Sequence, residues 1–203
     1  RNIRNNFILK DSCRRVVGFI TNGSLRKYKA TTNVTVVSST ETVTGAMKTF
    51  EGDIYYEIAT KFDDSDIVGK AYVSEENGVY TVRGASLMQG VEVVMEYLDS
   101  KKEVGYSWIS AASPTGTINN VPARIKTAIK EKGISKTVNG KVFSNVIHTT
   151  LELQYDMGDG FETSATYEFY SAQGIGIIQI DSVIDFFGFS MSSKTELTGY
   201  TIK

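Results

Sequence analysis

The 203-residue chain has few of the residues that build recognisable metal and catalytic sites. It contains one cysteine, Cys13, and one histidine, His148. An internal disulfide is therefore impossible, and the several Cys or His ligands of a zinc site cannot be supplied. A lone cysteine also leaves the redox compartment open. We predict no metal site and no cofactor.

The chain also lacks an excess of charge of one sign and a long apolar run. The 22 basic and 23 acidic residues nearly cancel, which disfavours the basic surface that nucleic-acid binding needs. The longest apolar run, near Ile175 to Ile180, is interrupted by Gly176 and Gln179 and falls short of the roughly 18 residues of a spanning helix. We expect no nucleic-acid partner and no membrane-spanning segment.

The residues that are present fit an ordinary globular protein. The hydrophobic fraction is 41% and the charged fraction 22%, and this length suits one all-β domain. We predict a single domain over residues 1–203, with 1–20 as an N-terminal arm or first strand.

Period-two alternation and β-branched residues predict strands along most of the chain. Thr49 to Lys61 alternates apolar and polar positions, and Ile67 to Val73 and Val79 to Arg83 flank an Asn77-Gly78 turn typical of hairpins. Asn33 to Ser38 is predicted as another strand. Leu87 to Leu98 fits both helix and strand spacing, and its valines favour a strand.

One segment predicts a helix. Asn120 is a candidate cap, Pro122 stands near the first turn, Ile125 and Ile129 fall on one face, and Gly133 is a candidate terminator. The predicted fold class is therefore mainly β (α+β): a curled antiparallel sheet forming a half-barrel, partly wrapped around this helix. The helix would cover an open sheet edge.

Two residues are candidates for catalysis, and neither has a motif around it. His148 falls on the polar face of a strand with Glu152 and Gln154, which favours a surface histidine over a functional one. Cys13 precedes two arginines that could activate a thiol, although a free cysteine is more often a packed residue. We predict no catalytic residues.

Aromatic side chains offer the stronger functional signal. If the sheet is an open half-barrel, its concave face forms an apolar trough, which is a default ligand site. The concave-face candidates are Tyr56, Tyr106, Trp108, Tyr167 and Phe169. The alternative, favoured for any single one of them, is that it simply fills the core.

The segment from Val138 to Asp181 carries a resemblance. Its VNGKVFSNVI, the hairpin that follows, and TYEFYSAQGIGIIQID resemble secreted or lipid-anchored Bacteroidetes proteins of unknown function. In that family a Lys is usual where this chain has Gln179. The paired Gly174 and Gly176 are interpreted as a bend that lets one aromatic strand continue around a curved sheet.

The resemblance implies a half-barrel like that of periplasmic lipoprotein carriers and their outer-membrane receptors, which hold acyl chains in an apolar concavity. It implies a non-enzymatic extracytoplasmic protein, in the periplasm or anchored to the outer membrane through a lipidated leader that has been removed. The expected ligand is a lipid or another hydrophobic molecule. Two alternatives stay open: a surface module that binds another protein or a glycan, and a hydrolase with an unrecognised carboxylate site.

The sequence yields a first test. If neither candidate residue is catalytic, His148→Ala and Cys13→Ala will leave any activity measured for the protein unchanged. A rate that falls by about a hundredfold or more in either variant, as loss of a general base or nucleophile would cause, contradicts the prediction that neither residue is catalytic.

Overall fold

The computed structural model describes residues 20–85, 92–186 and 189–203, and in these ranges the chain is built entirely from β-strands and their connections. The strands are β1 Leu25–Thr32, β2 Val36–Phe50, β3 Asp53–Phe62, β4 Val68–Glu76, β5 Val79–Ala85, β6 Glu92–Asp99, β7 Ser107–Ala111, β8 Thr117–Ile118, β9 Val121–Val138, β10 Lys141–Asp156, β11 Phe161–Ala172, β12 Gly176–Phe186 and β13 Phe189–Thr201.

Twelve of these strands form one antiparallel sheet, in the order β6-β5-β4-β3-β2-β1-β13-β12-β11-β10-β9-β7, with β8 paired to β9 alone. Strands that follow one another in the chain pair from β1 to β6 and from β9 to β13; in addition β1 pairs with β13, and β7 pairs with β9. The pairing of β1 with β13 joins the two ends of the described chain near the middle of the sheet. The sheet curls into a nearly closed barrel, with β6 and β7 as its two edges.

The edge strand β6 closes the barrel by lying against the inner face of β9 and β10. The Val94 N–H donates to the carbonyl of Ala112, just after β7, over 3.0 Å. Tyr97 is the extra residue of a β-bulge opposite Tyr80, next to Leu98, and both side chains are buried in the main core, with exposures of 7% and 0%. All other side chains of β6 are partly buried, so the strand is covered although it pairs with a strand on one side only.

Two buried threonines satisfy the backbone of this edge. The Thr127 hydroxyl donates to the carbonyl of Glu96 over 3.1 Å, and the Thr149 hydroxyl donates to the carbonyl of Tyr97 over 2.8 Å. Both threonines are almost fully buried on the inner faces of β9 and β10. A buried carbonyl without a donor is costly, so these side chains replace the neighbouring strand that β6 lacks.

Apolar side chains fill the barrel around this seam. The largest cluster joins β5 and β6 to the inner face of β9, β10 and β11, and includes Leu98, Ile129, Leu151 and Phe169. A second cluster packs Tyr28 and Leu197 against residues of the β9–β10 hairpin and β12. Tight turns join the strands, and in the Asn77-Gly78 turn both residues have positive φ, as the hairpin signal predicted.

The predicted helix is wrong. Its residues form β9, the longest strand, in which Ala123, Ile125, Thr127 and Ile129 alternate inward. Asn120 has φ of 65° and belongs to the turn between β8 and β9 instead of capping a helix. The inward Thr127 hid the period-two pattern, because a polar residue was not expected on a buried face.

The prediction of a half-barrel wrapped around a helix is also wrong. The edge strand β6 folds against β9 and β10, so the structure is a nearly closed all-β barrel with no helix among the described residues. Gly174 is also not a bend within one strand: it lies in the turn that reverses the chain between β11 and β12. Asn33 lies in the turn before β2, outside any strand. Residues 1–19, with Cys13 and the predicted arm, lie outside the described residues.

The threonine contacts predict a measurable stability effect. Thr149→Val keeps the side-chain shape but removes the donor, so the buried Tyr97 carbonyl loses its partner, at a cost of about 1–3 kcal/mol in the free energy of unfolding. Urea titration measures this difference. Thr166→Val, on the outer face of β11, is the matched control and should change stability by no more than about 0.5 kcal/mol. Equal effects for both variants would contradict the role given to Thr149.

Candidate ligand-binding cavity

A cavity of about 220 Å³ lies inside the barrel, between the inner faces of β1–β6 and those of β11–β13. It exists because β6 occupies the other part of the interior, against β9 and β10. Most of its wall is apolar, formed by aromatic residues and by aliphatic ones that include Ile58, Val73, Val82, Met95 and Ile180. Such a space favours an apolar guest.

An ion pair lies in the wall of this otherwise apolar cavity. Arg26 on β1 and Glu41 on β2 are direct partners across the sheet, and Nη2 of Arg26 is 2.7 Å from Oε2 of Glu41. The exposed fraction is 7% for the Arg26 side chain and 26% for that of Glu41. Burial acts to lower the pKa of Arg26, but Tyr28 and Glu41 nearby outweigh it and the pKa is raised. The guanidinium therefore stays charged.

Two buried tyrosines stand beside the ion pair. The Tyr28 hydroxyl donates to the carbonyl of Ile177 over 2.8 Å, and the ring of Tyr97 stacks on Phe169 at 5.6 Å between centroids. Burial raises the pKa of both phenols well above the ordinary value. Both are therefore neutral hydrogen-bonding groups at physiological pH, and their rings add to the apolar wall.

Of the sequence-predicted ligand residues, Phe169 is the one that lines this cavity. Tyr167 lies next to it on the inner face of β11, with ring centroids 6.3 Å apart, and packs in the main core. Tyr56 packs against the small cluster of β2, β3 and β4 residues. For these two side chains the packing alternative fits better than the ligand role.

The other two candidates, Tyr106 and Trp108, form a separate pair near the edge strand β7. Their rings stack with centroids 6.1 Å apart, and the Lys102 ammonium lies 4.5 Å from the Tyr106 centroid. Trp108 is half-buried against the main core, while Tyr106 is 43% exposed. The structure thus divides the predicted set between the cavity, the core and this rim.

Sequence reasoning missed Arg26, Glu41, Tyr28 and Tyr97. A charged residue in a strand is normally assigned to the solvent face, so Arg26 and Glu41 carried no signal of their own. The one usable hint was that Arg26 and Tyr28 share a face at a spacing of two. Because Tyr28 is a large aromatic residue, its face of the strand, and Arg26 with it, could have been placed inward.

His148 lies on the outer face of the barrel, as its polar neighbours predicted, but with partners from other strands. Nδ1 is 2.9 Å from Oε2 of Glu131 on β9, and Nε2 is 2.5 Å from Oε2 of Glu168 on β11. Its ring also stacks on Tyr170 at 4.3 Å. The cluster ties three adjacent strands together away from the cavity.

Residues 20–85, 92–186 and 189–203 contain no group of three or more His, Cys, Asp or Glu side chains that could hold a metal ion. The same ranges contain no helix long and apolar enough to cross a membrane.

The fold has relatives among solved structures. One is from Bacteroides fragilis and is described as an exported protein with a YmcC-like fold; it aligns with 92% of this chain and 99% of its own, at 11% identity and a TM-score of 0.56. Another, from Parabacteroides distasonis, is described as a lipoprotein; the alignment covers 90% and 96%, at 14% identity and a TM-score of 0.52. This chain shares their fold.

At these identities the likeness shows the fold alone. No protein-family model and no curated protein matches the chain. The resemblance to Bacteroidetes proteins is thus supported at the level of fold, whereas a specific relation to lipoprotein carriers is not.

The buried Tyr97 predicts a pH dependence. Because burial raises its pKa, the folded protein keeps the phenol proton while the unfolded chain releases it above about pH 10. Stability is therefore full below that pH and falls as the pH rises further, by about 1.4 kcal/mol per unit for one such group. Tyr97→Phe should make the urea midpoint decline less steeply above about pH 10 than in the unaltered protein. Parallel declines would contradict the burial of a protonated phenol.

Proposed function

We propose that this protein is a non-enzymatic extracytoplasmic protein that binds a small hydrophobic ligand inside its barrel. The observation that carries the proposal is the cavity beside Arg26 and Glu41, which is lined mostly by aliphatic and aromatic side chains. A domain of this size gains stability by filling its core, so an unfilled apolar cavity supports the proposal that a ligand occupies it.

The extracytoplasmic assignment is supported by the structural relatives, one described as exported and the other as a lipoprotein. We infer the same compartment for this chain, either the periplasm or the outer membrane through a lipidated leader. In that setting the available hydrophobic molecules include lipids and their fragments. The ligand is taken up without chemical change.

A second function is favoured by one observation. The stacked rings of Tyr106 and Trp108, with Tyr106 partly exposed, form a flat aromatic surface at the edge of the sheet. Aromatic surfaces of this kind contact proteins and sugars, so a surface module that binds a protein or a glycan is the alternative.

Dye binding tests the cavity directly. The uncharged dye N-phenyl-1-naphthylamine should gain fluorescence with the unaltered protein. Ala71→Phe places a ring in the cavity wall and should weaken binding about tenfold or more, which corresponds to ~1.4 kcal/mol. The matched control is Ala59→Phe, which introduces the same side chain on the outer face of β3, opposite Lys70, and should bind as before.

Native mass spectrometry with lipid extraction, on protein purified from its own host, measures the natural guest without any substitution. A co-purifying lipid supports the proposal. No lipid, together with no gain in dye fluorescence, would overturn it. Dye binding that Tyr106→Ala abolishes and Ala71→Phe spares would favour the surface module.

A further inference from the structure

The charge at the polar end of the cavity restricts the ligand that it can take, provided that the proposed function holds. Arg26 and Glu41 face each other in register on the inner faces of β1 and β2, joined by a 2.7 Å contact. The pair has no net charge, and none of the other described residues that line the cavity carries a charge. Within the part of the chain that the structure describes, the cavity wall is therefore polar at one place without a net charge.

An anionic head group would disturb this balance. If it approached Arg26 it would also lie near Glu41, and two carboxylates within about 4–6 Å repel each other strongly away from water. The site would carry one uncompensated negative charge, which a poorly hydrated interior does not support. A fatty acid anion is therefore disfavoured, although an arginine beside an apolar cavity invites that assignment.

The accessible member of the pair is the carboxylate. Glu41 is 26% exposed and lines the cavity, whereas Arg26 is 7% exposed, and the contact with Arg26 is made by Oε2 of Glu41. A carboxylate oxygen accepts hydrogen bonds and donates none. The head group that complements it therefore carries an O–H or N–H donor.

The size of the cavity limits the apolar part. About 220 Å³ is less than the roughly 300–1,000 Å³ of pockets that enclose drug-sized ligands. One aliphatic chain of moderate length fits better than a lipid with several chains.

We propose that the cavity binds an uncharged single-chain amphiphile whose hydroxyl or amide head donates a hydrogen bond to Glu41. Alcohols, monoacylglycerols and fatty amides with one chain of moderate length belong to this class, and fatty acid anions do not. Alkylammonium ions do not belong to it either, because a cation at Glu41 would lie beside the Arg26 guanidinium and leave one uncompensated positive charge in a poorly hydrated interior.

Competition in the unaltered protein tests the proposal. Bound N-phenyl-1-naphthylamine is displaced with 1-decanol, decanoate or decylammonium, which share a chain length and differ in head-group charge. At about pH 8 decanoate is ionised. Decanol should displace the dye at a concentration at least about tenfold lower than either ion, because repulsion large enough to shift a pKa by one unit weakens binding by a factor of ten. Decanoate or decylammonium competing as well as decanol would overturn the inference.

A charge variant sharpens the result. Glu41→Gln leaves the Arg26 charge without its carboxylate, so decanoate should now displace the dye at a concentration at least about tenfold lower than with the unaltered protein. The control Glu57→Gln removes the same charge from a carboxylate that pairs with Lys70 on the outer face, and should leave all three competitors unchanged. An unchanged response to decanoate in Glu41→Gln would contradict the role of Glu41.

The dye experiments distinguish failure of the proposed function from failure of the proposed ligand class. A dye that does not bind contradicts the proposed function, whereas a dye that binds and is displaced best by an ion contradicts only the ligand class. The Glu41→Gln variant tests the role of Glu41 when its circular dichroism spectrum matches that of the unaltered protein. If the spectra differ, the competition experiment in the unaltered protein decides whether the proposed ligand class is correct.

Discussion

The architecture depends on how one sheet edge is satisfied. Any curled sheet that does not close by regular pairing leaves a row of carbonyls and N–H groups, which invites aggregation if exposed and costs free energy if buried. Here β6 is buried, and hydroxyls of Thr127 and Thr149 donate to its carbonyls from the opposite wall. This contact closes the barrel without a continuous ladder between β6 and β7.

The same contact decides where empty space can remain. Because β6 lies against β9 and β10, Leu98 and Tyr97 fill that half of the interior and pack with Leu151 and Phe169. The space that is left lies between β1–β6 and β11–β13, and its wall includes an arginine and a glutamate. The cavity is thus a consequence of the closure, and its polar end follows from the pairing of β1 with β2.

A buried ion pair is weak evidence for a stabilising role. Removing two charges from water costs several kcal/mol per ion, and hydrophobic residues of similar volume often serve stability equally well or better. The Arg26–Glu41 pair is nonetheless placed in the wall of a cavity, with Tyr28 and Tyr97 next to it. We therefore propose recognition of a guest, and not a contribution to folding stability, as the role of the pair.

Much of the fold was predictable because alternation is a local property. The hairpin at Asn77-Gly78 and most of the strand predicted at Thr49 to Lys61 follow from period-two patterns and turn residues, and the structure confirms them. The predicted helix is wrong because Thr127 is a polar residue on a buried face, so the alternation of β9 was not recognised. The same difficulty applies to the candidate ligand-binding cavity.

Phe169 is an apolar residue, which alternation places on the inner face of its strand, whereas Arg26 and Glu41 could be placed inside only once their register was known. Residues whose partners come from another strand carry no local signal of their burial. The closure by Thr127 and Thr149 and the Arg26–Glu41 pair in the cavity wall therefore could not be predicted from the sequence, because these polar residues lie on a face that the sequence alone assigns to apolar ones.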